Sequence, residues 1–502
     1  MKRITSLILT ISTLLSFSIE ASSQDNTETK LLEQFHKITS EEMMSWVEKL
    51  CSPEFNGRLT GTPGYTAAAE WVAGMLKEWG VKPAGNDGSY FQWFDNPYSV
   101  VNDIGSLSMK ISLPDGSSIT KNYTYPEEYY PGMNSGSGEI TAEVVFVGFG
   151  VTAPELNYDD YKGIDVKGKI VLLNRDVPHT DPRNPEYQKW VKYCYHQYKL
   201  ENAVKHGASG FLYIDGASAN PNISYDPSII VAGIGQAPLA DIFAGLKTNN
   251  QDLLSQMRKT FKPASFNTKK VITIKANTTR FPEGKGCNVV GMIEGTDPVL
   301  KTESIIIGAH LDAVGQAGKT VNGALDNASG VADIMGAAKA TALSGIQLKR
   351  SVVFVFFGGE ENGLYGSKLY ANNPALPKEK AVTFINLDMV GNGTGLSVNA
   401  SAPYKNLLKY FEDANASYIH RPFRGSAPEP IAYYGRPRSD SFNFSSIGYR
   451  TMSIGTTGAY KKVWYHLPGD DPDAVTIDIM QDAARMIYIA LTGMANDTSL
   501  AF

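Results

Sequence analysis

From about residue 270 onward, near-continuous apolar runs alternate with amphipathic stretches. "CNVVGMIEG", "ESIIIGAHLD", "SVVFVFFGG", "AVTFINLDMVG" and "YRTMSIGT" read as strands; "ASGVADIMGAAKATAL", "LYGSKLYANN" and "TIDIMQDAARMIYIALTGMA" read as helices. Strands that lack polar alternation are buried on both faces, so the pattern predicts an α/β fold: a mixed, mostly parallel sheet sandwiched by helices. Upstream, "TSEEMMSWVEKLCS" and "TPGYTAAAEWVAGMLKEWG" carry helical apolar spacing, the second opening after a Pro-Gly turn and ending at Gly80. The glycine-rich "PEFNGRLTGTPG" lies between them. Between 133 and 267 the texture changes to short β segments, "AEVVFVGFG" and "GKIVLLN", then a Tyr-rich helical stretch ending in "AVKHGA", then "SGFLYID". This predicts an inserted, β-rich α+β module at 133–267 within a domain built from 24–132 and 268–502.

Length supports that division, because 502 residues exceed what one hydrophobic core usually serves. The first residues, "MKRITSLILTISTLLSFSIEASSQ", give a basic start, an apolar run and small residues before Gln24, the pattern of a cleavable export signal over 1–23. The run is too short and wrongly flanked for a membrane span, so the mature chain is expected to be secreted or periplasmic with no other membrane contact. Removing that segment takes away Lys2, Arg3 and Glu20 and leaves a net charge of −6 without basic blocks, which excludes a nucleic-acid partner. Cys51, Cys194 and Cys287 lie far apart, which excludes a cysteine zinc finger and a disulfide-dense scaffold.

The chemistry gathers where apolar runs stop. His310 and Asp312 follow one strand, the adjacent acids Glu360 and Glu361 a second, and Asp388 a third. Ligands in open α/β sheets bind beyond the carboxyl ends of the strands, so these residues are expected to converge. Asp326 stands in a turn before a helix, and Tyr465 and His466 precede a Pro-Gly turn. Singly, each has an ordinary explanation: a helix N-cap for Asp326, a strand-end turn for Asp388, a satisfied loop histidine for His466. Together they form a nitrogen and oxygen ligand set without cysteine, suited to zinc with an open coordination position and, where acids abound, to two metals. Two adjacent carboxylates repel unless a cation or donor settles their charge. One of the pair can then be a ligand and the other a free general base.

The ordered segments "GAHLD", "GALDNASGVA", "FFGGEENGLYGS", "NLDMVG" and "YHLPGDD" resemble the secreted co-catalytic zinc aminopeptidase family of bacterial leucyl aminopeptidases and aminopeptidase Y, to which glutamate carboxypeptidase is related. "NYDDYKGIDVKGKIVLL" and "AVKHGASGFLYI" resemble a protease-associated (PA) domain. The resemblance implies two Zn2+ ions, one held by His310, Asp326 and Asp388 and the other by Asp326, Glu361 and His466, with Asp326 bridging. It implies Glu360 as general base, Asp312 as the partner of His310, Tyr465 as a donor to the oxyanion, and peptides as substrates. "GRPRSDSFNF" departs from the family pattern by carrying Ser441 where many relatives have His. Three other readings stay open. A carboxypeptidase would need a cationic clamp, for which Arg424, Arg436 and Arg438 are candidates; the others are a glutaminyl-cyclase-like acyltransferase and a non-catalytic, receptor-like ectodomain. Oligomeric state is not legible.

Overall fold

The computed structural model describes residues 27–214, 219, 221–400, 402–427 and 435–502; the expected export signal lies outside them. Five strands carry the larger domain: β1 (Lys285–Ile293), β2 (Ser304–His310), β3 (Ser351–Phe357), β4 (Ala381–Leu387) and β5 (Thr451–Thr457). They run in the order β1-β3-β2-β4-β5 within a nine-stranded sheet. β3, β2, β4 and β5 are mutually parallel, while β1 is antiparallel to β3, and strand Gly395–Ala400 is antiparallel to β5. The sheet is thus mixed, with a parallel centre. From β2 the chain goes first to one side, to β3, and then to the other, to β4. Such a reversal leaves a crevice at the carboxyl ends of the strands.

The unbroken apolar runs serve two cores at once. Along β3, Val352, Phe354 and Phe356 face a core that contains helices α1 (Pro63–Glu78), α2 (Ser329–Leu343) and α3 (Ile477–Asn496), whereas Val353, Val355 and Phe357 face a second core with Tyr370 and Phe444. Alternate side chains of an extended strand point to opposite faces, so only an all-apolar run can fill both.

The insertion forms its own eight-stranded sheet, again with a core on each face: Ile170 and Leu172 on one, Val171 and Leu173 on the other. This sheet is wider than the 133–267 expectation. Strands Ser106–Ser112, Ser118–Asn122 and Tyr129–Pro131 belong to it, and Phe266–Ala276 runs across residue 267. Ser118–Asn122 is almost wholly exposed and Ser106–Ser112 only half buried, so neither carries an apolar signal that would mark it as part of a core. The polar stretch just before the 267 bound forms the amphipathic helix Asn250–Thr260, which buries Leu253 and Met257. The two crossings between domains, Tyr98–Val101 and Thr278–Phe281, pair as an antiparallel ribbon. All three cysteines are buried and unpaired. Among the described residues, no helix is long and apolar enough to cross a membrane.

Candidate metal centre and its cleft

Every residue singled out at a strand end arrives in the crevice. His310 closes β2, and its Nε2 lies 3.2 Å from Asp326 Oδ1 and 3.6 Å from Asp388 Oδ1. His466 Nε2 lies 2.9 Å from Glu361 Oε2 and 3.5 Å from Asp326 Oδ2. Asp326 therefore offers one oxygen to each imidazole. His310, Asp326 and Asp388 form one group, and Asp326, Glu361 and His466 another, whose ligand atoms lie within 4.8 Å of one another.

The hydrogen bonds on the far side of each ring define what the near side presents. His310 Nδ1 donates to the Asp312 backbone carbonyl at 3.1 Å, and His466 Nδ1 donates to the Ala219 backbone carbonyl at 2.8 Å. Each Nε2 then turns a lone pair toward carboxylate oxygens, which also bring only lone pairs. Among the described residues no other donor stands between them, so an added proton or a cation must reconcile them, and the buried Oε1 of Glu361 has no hydrogen-bond partner at all. A cation can do so, and this donor set fits metal ions. Without one the strain appears as displaced proton affinities. Burial pulls His310 down, yet the carboxylates of Asp312, Asp326 and Asp388 outweigh it and hold the imidazole well above its ordinary value. Burial likewise pushes Glu360 well above the carboxylate range, with Asp440, Glu361 and Asp388 adding to it against the pull of His310.

Asp312 partners His310 in two ways, through its backbone carbonyl and through its carboxylate, 3.7 Å from Nδ1, while its two carboxylate oxygens also accept from the backbone N–H groups of Glu360 and Glu361, each at 3.3 Å. The residue ties the end of β2 to the paired glutamates beyond β3. Tyr465 stacks on His466, ring centroids 3.9 Å apart, and its side chain is 53% exposed at the cleft wall. Burial of the hydroxyl, reinforced by Glu361 and Asp326, raises its pKa and keeps it a donor.

Several supporting residues escaped the sequence reading. Asp470 accepts from the backbone N–H groups of Leu325 and Asp326, at 2.8 and 3.0 Å. Asn327 accepts from Met389 N–H and donates to the Leu387 carbonyl, fastening the Asp326 turn to the end of β4. Fully buried Arg58, from the glycine-rich loop, donates to the carbonyls of Leu50, Leu311, Asn322 and Gly323 and so grips the backbone beside Asp312 and ahead of Asp326. Asn443, in the short helix Ser441–Ser445 that begins at the departing serine, donates to Leu364 O and Ser367 Oγ and secures the segment after Glu361. Only the "GDD" of the His466 loop, within a quoted motif, carried a usable signal for any of these.

The centre opens into a cleft of about 560 Å³. One wall belongs to the insertion, through Arg175, Asp176, Tyr195 and Asn222 among others; the opposite side carries Glu360, Tyr465, Arg436 and Arg438. Arg175 and Arg436 both approach Asp176, each at 3.5 Å. Arg424 is absent from this wall and lies exposed on the edge strand Phe423–Ser426.

Comparison with known proteins agrees with this architecture. Residues 288–490 match Peptidase family M28, and residues 140–242 match the PA domain. The chain is 30% identical over 180 residues to leupeptin-inactivating enzyme 1 of Streptomyces exfoliatus, covering 35% of this chain and 37% of that one. It is 25% identical over 426 residues to leucine aminopeptidase 2 of Trichophyton rubrum, covering 81% of this chain and 71% of that one. Among solved structures, BSAP, a zinc aminopeptidase from Bacillus subtilis, superposes with a TM-score of 0.56 at 18% identity, over 93% of this chain and 97% of that one. The chain thus spans little more than a third of the first relative and under three quarters of the second.

Proposed function

We propose that this chain, whose residues 288–490 belong to peptidase family M28 and whose insertion carries a PA domain, is an exported two-zinc aminopeptidase that removes N-terminal residues from short peptides. The observation that carries the reading is Asp326, whose two oxygens address two imidazoles that each present a bare Nε2. His310, Asp326 and Asp388 would hold one zinc and Asp326, Glu361 and His466 the other; when bound, the pair supplies Lewis-acid polarisation of the scissile carbonyl and lowers the pKa of the attacking water.

The chain's own groups do the rest. Glu360, not engaged by either histidine, takes the proton from the attacking water and returns it to the departing amine. Its carboxylate is aimed by the backbone N–H that Asp312 accepts, and the same residue fixes Glu361 beside it, so base and ligand move as one unit. Tyr465 reaches the cleft as a protonated phenol and donates to the carbonyl oxygen as negative charge develops there. The insertion's wall restricts the cleft to chain ends and short peptides, which can bury their reacting bond without unfolding.

A second reading is favoured by one specific observation. Arg436 and Arg438 line the same cleft as Glu360 and Glu361, and guanidinium groups so placed could clamp a substrate carboxylate, as a carboxypeptidase requires. Aminoacyl arylamides assayed beside N-blocked peptides with free carboxyl ends separate the two. We expect hydrolysis to require a free amino terminus, to stop with a chelator and to return with zinc. Cleavage confined to the N-blocked peptides would favour the carboxypeptidase, and activity indifferent to chelator would overturn both.

A further inference from the structure

The two imidazoles of the candidate centre are oriented by different domains. His310 leans on Asp312 of its own strand end, whereas His466 leans on the insertion. The contact is reciprocal: His466 Nδ1 donates to the Ala219 carbonyl at 2.8 Å, and the Ala219 N–H donates to the His466 carbonyl at 3.1 Å. His466 needs such support. Its φ is +55°, in the left-handed region that residues bearing a Cβ rarely occupy, and a conformation of that kind persists only where the surroundings over-determine it. The packing beneath is shared as well. Ala219 is 1% exposed within a small core to which the insertion brings Tyr130 and Met133 and the peptidase domain brings Leu59 and Val314, with Leu467, the neighbour of His466, packed against it.

We infer that Ala219 is a positioning residue through which the insertion completes one metal position and not the other. Its carbonyl holds the proton of His466 on Nδ1, which leaves Nε2 free for a metal shared with Asp326 and Glu361 and makes that nitrogen the stronger donor. Its N–H pins the strained backbone that aims the ring. Among the described residues, the His310, Asp326 and Asp388 position draws on no group of the insertion. Loss of the Ala219 contact therefore weakens zinc at the His466 position selectively. This inference rests on the metal reading given above, and the experiment separates the two.

Zinc is titrated into the metal-free full-length protein against a competing chelator, for the wild type and for Ala219→Pro, which lacks the N–H. The expected result is two zinc ions in both, with one affinity reduced about 10-fold or more in the variant, because without the N–H anchor the Ala219 carbonyl loses its register with His466 Nδ1 and removing such a partner usually costs about 10- to 100-fold, and the other within about twofold. Asp388→Asn serves as the converse, weakening the other position. Equal affinities in a variant that melts like the wild type overturn the inference alone, as does an equal fall at both positions. A wild type that takes up fewer than two zinc ions overturns the metal reading and this inference with it. Should Ala219→Pro fail to fold, 15N-histidine spectra of the unaltered protein decide: a slowly exchanging proton on His466 Nδ1 supports the contact, and a proton on Nε2 overturns it.

Discussion

In the insertion, Asp160 and Lys199 are as deeply buried as any ligand candidate in the larger domain, yet protein groups meet them. Asp160 Oδ2 accepts from the Phe149 and Val151 N–H groups at 3.1 and 3.0 Å, its Oδ1 accepts from the Tyr158 hydroxyl at 2.9 Å, and Lys199 donates to the carbonyls of Phe149 and Asp176. In the crevice of the larger domain the acids instead face imidazoles whose Nδ1 protons go to backbone carbonyls, and Glu361 Oε1 has no hydrogen-bond partner. Both regions are costly to build, because removing a charge from water is unfavourable unless a partner replaces the water. What separates them is the origin of the partner. A buried charge that the chain satisfies is architecture, while a cluster of acceptors turned toward one another fits a cation that the chain does not itself supply.

The sharpest way to break that comparison is to change one glutamate of the adjacent pair at a time. Glu360→Gln should retain both metals and lose roughly two to four orders of magnitude in rate, the range for removing a general base. Glu361→Ala should lose metal first and activity as a consequence. Metal analysis alongside kcat distinguishes them, and depletion in the glutamine variant with retention in the alanine variant would exchange their roles.

The insertion should answer in the opposite manner. Lys199→Met strands the Phe149 and Asp176 carbonyls, a loss of about 1–3 kcal/mol for buried acceptors left unpaired, without altering zinc stoichiometry. Denaturant unfolding and metal analysis on one sample would test both halves. The pH dependence follows from the same burial. Asp160 is pushed up to about 7 by burial, against the three donors and Lys199, so its folded pKa lies above its unfolded one. Its contribution is fully present below the unfolded carboxylate pKa, about 4, and is lost as pH rises toward 7. Lys199 is lowered to about 8 by burial, so its own contribution grows only above that pH. From about pH 4 to 7, below the range in which Lys199 responds, the insertion's stability should fall with rising pH, and a slope of opposite sign would contradict the assignment.

His310, Glu361 and Asp388 were legible because each stands where an apolar run stops, a position that the strand period and the direction of the sheet translate into a place in space; Asp326 and His466 were legible only as members of quoted motifs. Their support was not, since Arg58, Asp470 and Ala219 act on or through backbone N–H and carbonyl groups of residues distant in sequence, and a backbone group has no letter of its own. The parallel centre of the larger sheet was readable for the same reason as the strand-end ligands: strands such as β3 fill two cores with an unbroken apolar run, Val352 to Phe357. The hairpin at 106–122 was not, because its polar, half-exposed strands obey the pairing of the sheet and not the demands of a core.

A third buried acid tests whether an unpartnered carboxylate is enough to mark a site. Asp333 lies fully buried on α2, neither oxygen has a hydrogen-bond partner, and burial alone pushes it well above the carboxylate range. No imidazole or second acid joins it in a group that could hold a metal among the described residues, so by the comparison above it is a cost without a function. Asp333→Asn keeps the shape and removes the ionisation. The unfolded carboxyl ionises above about pH 4 while the folded one stays protonated, so the wild type is penalised increasingly as pH rises from there and the variant is not. The variant should gain on the order of 1 kcal/mol at neutral pH, a rise of about 1–2 °C in Tm, and the gain should vanish in acid. Zinc content and kcat should stay at wild-type values; a loss of either would mean that an acid with no partner in reach serves the centre after all.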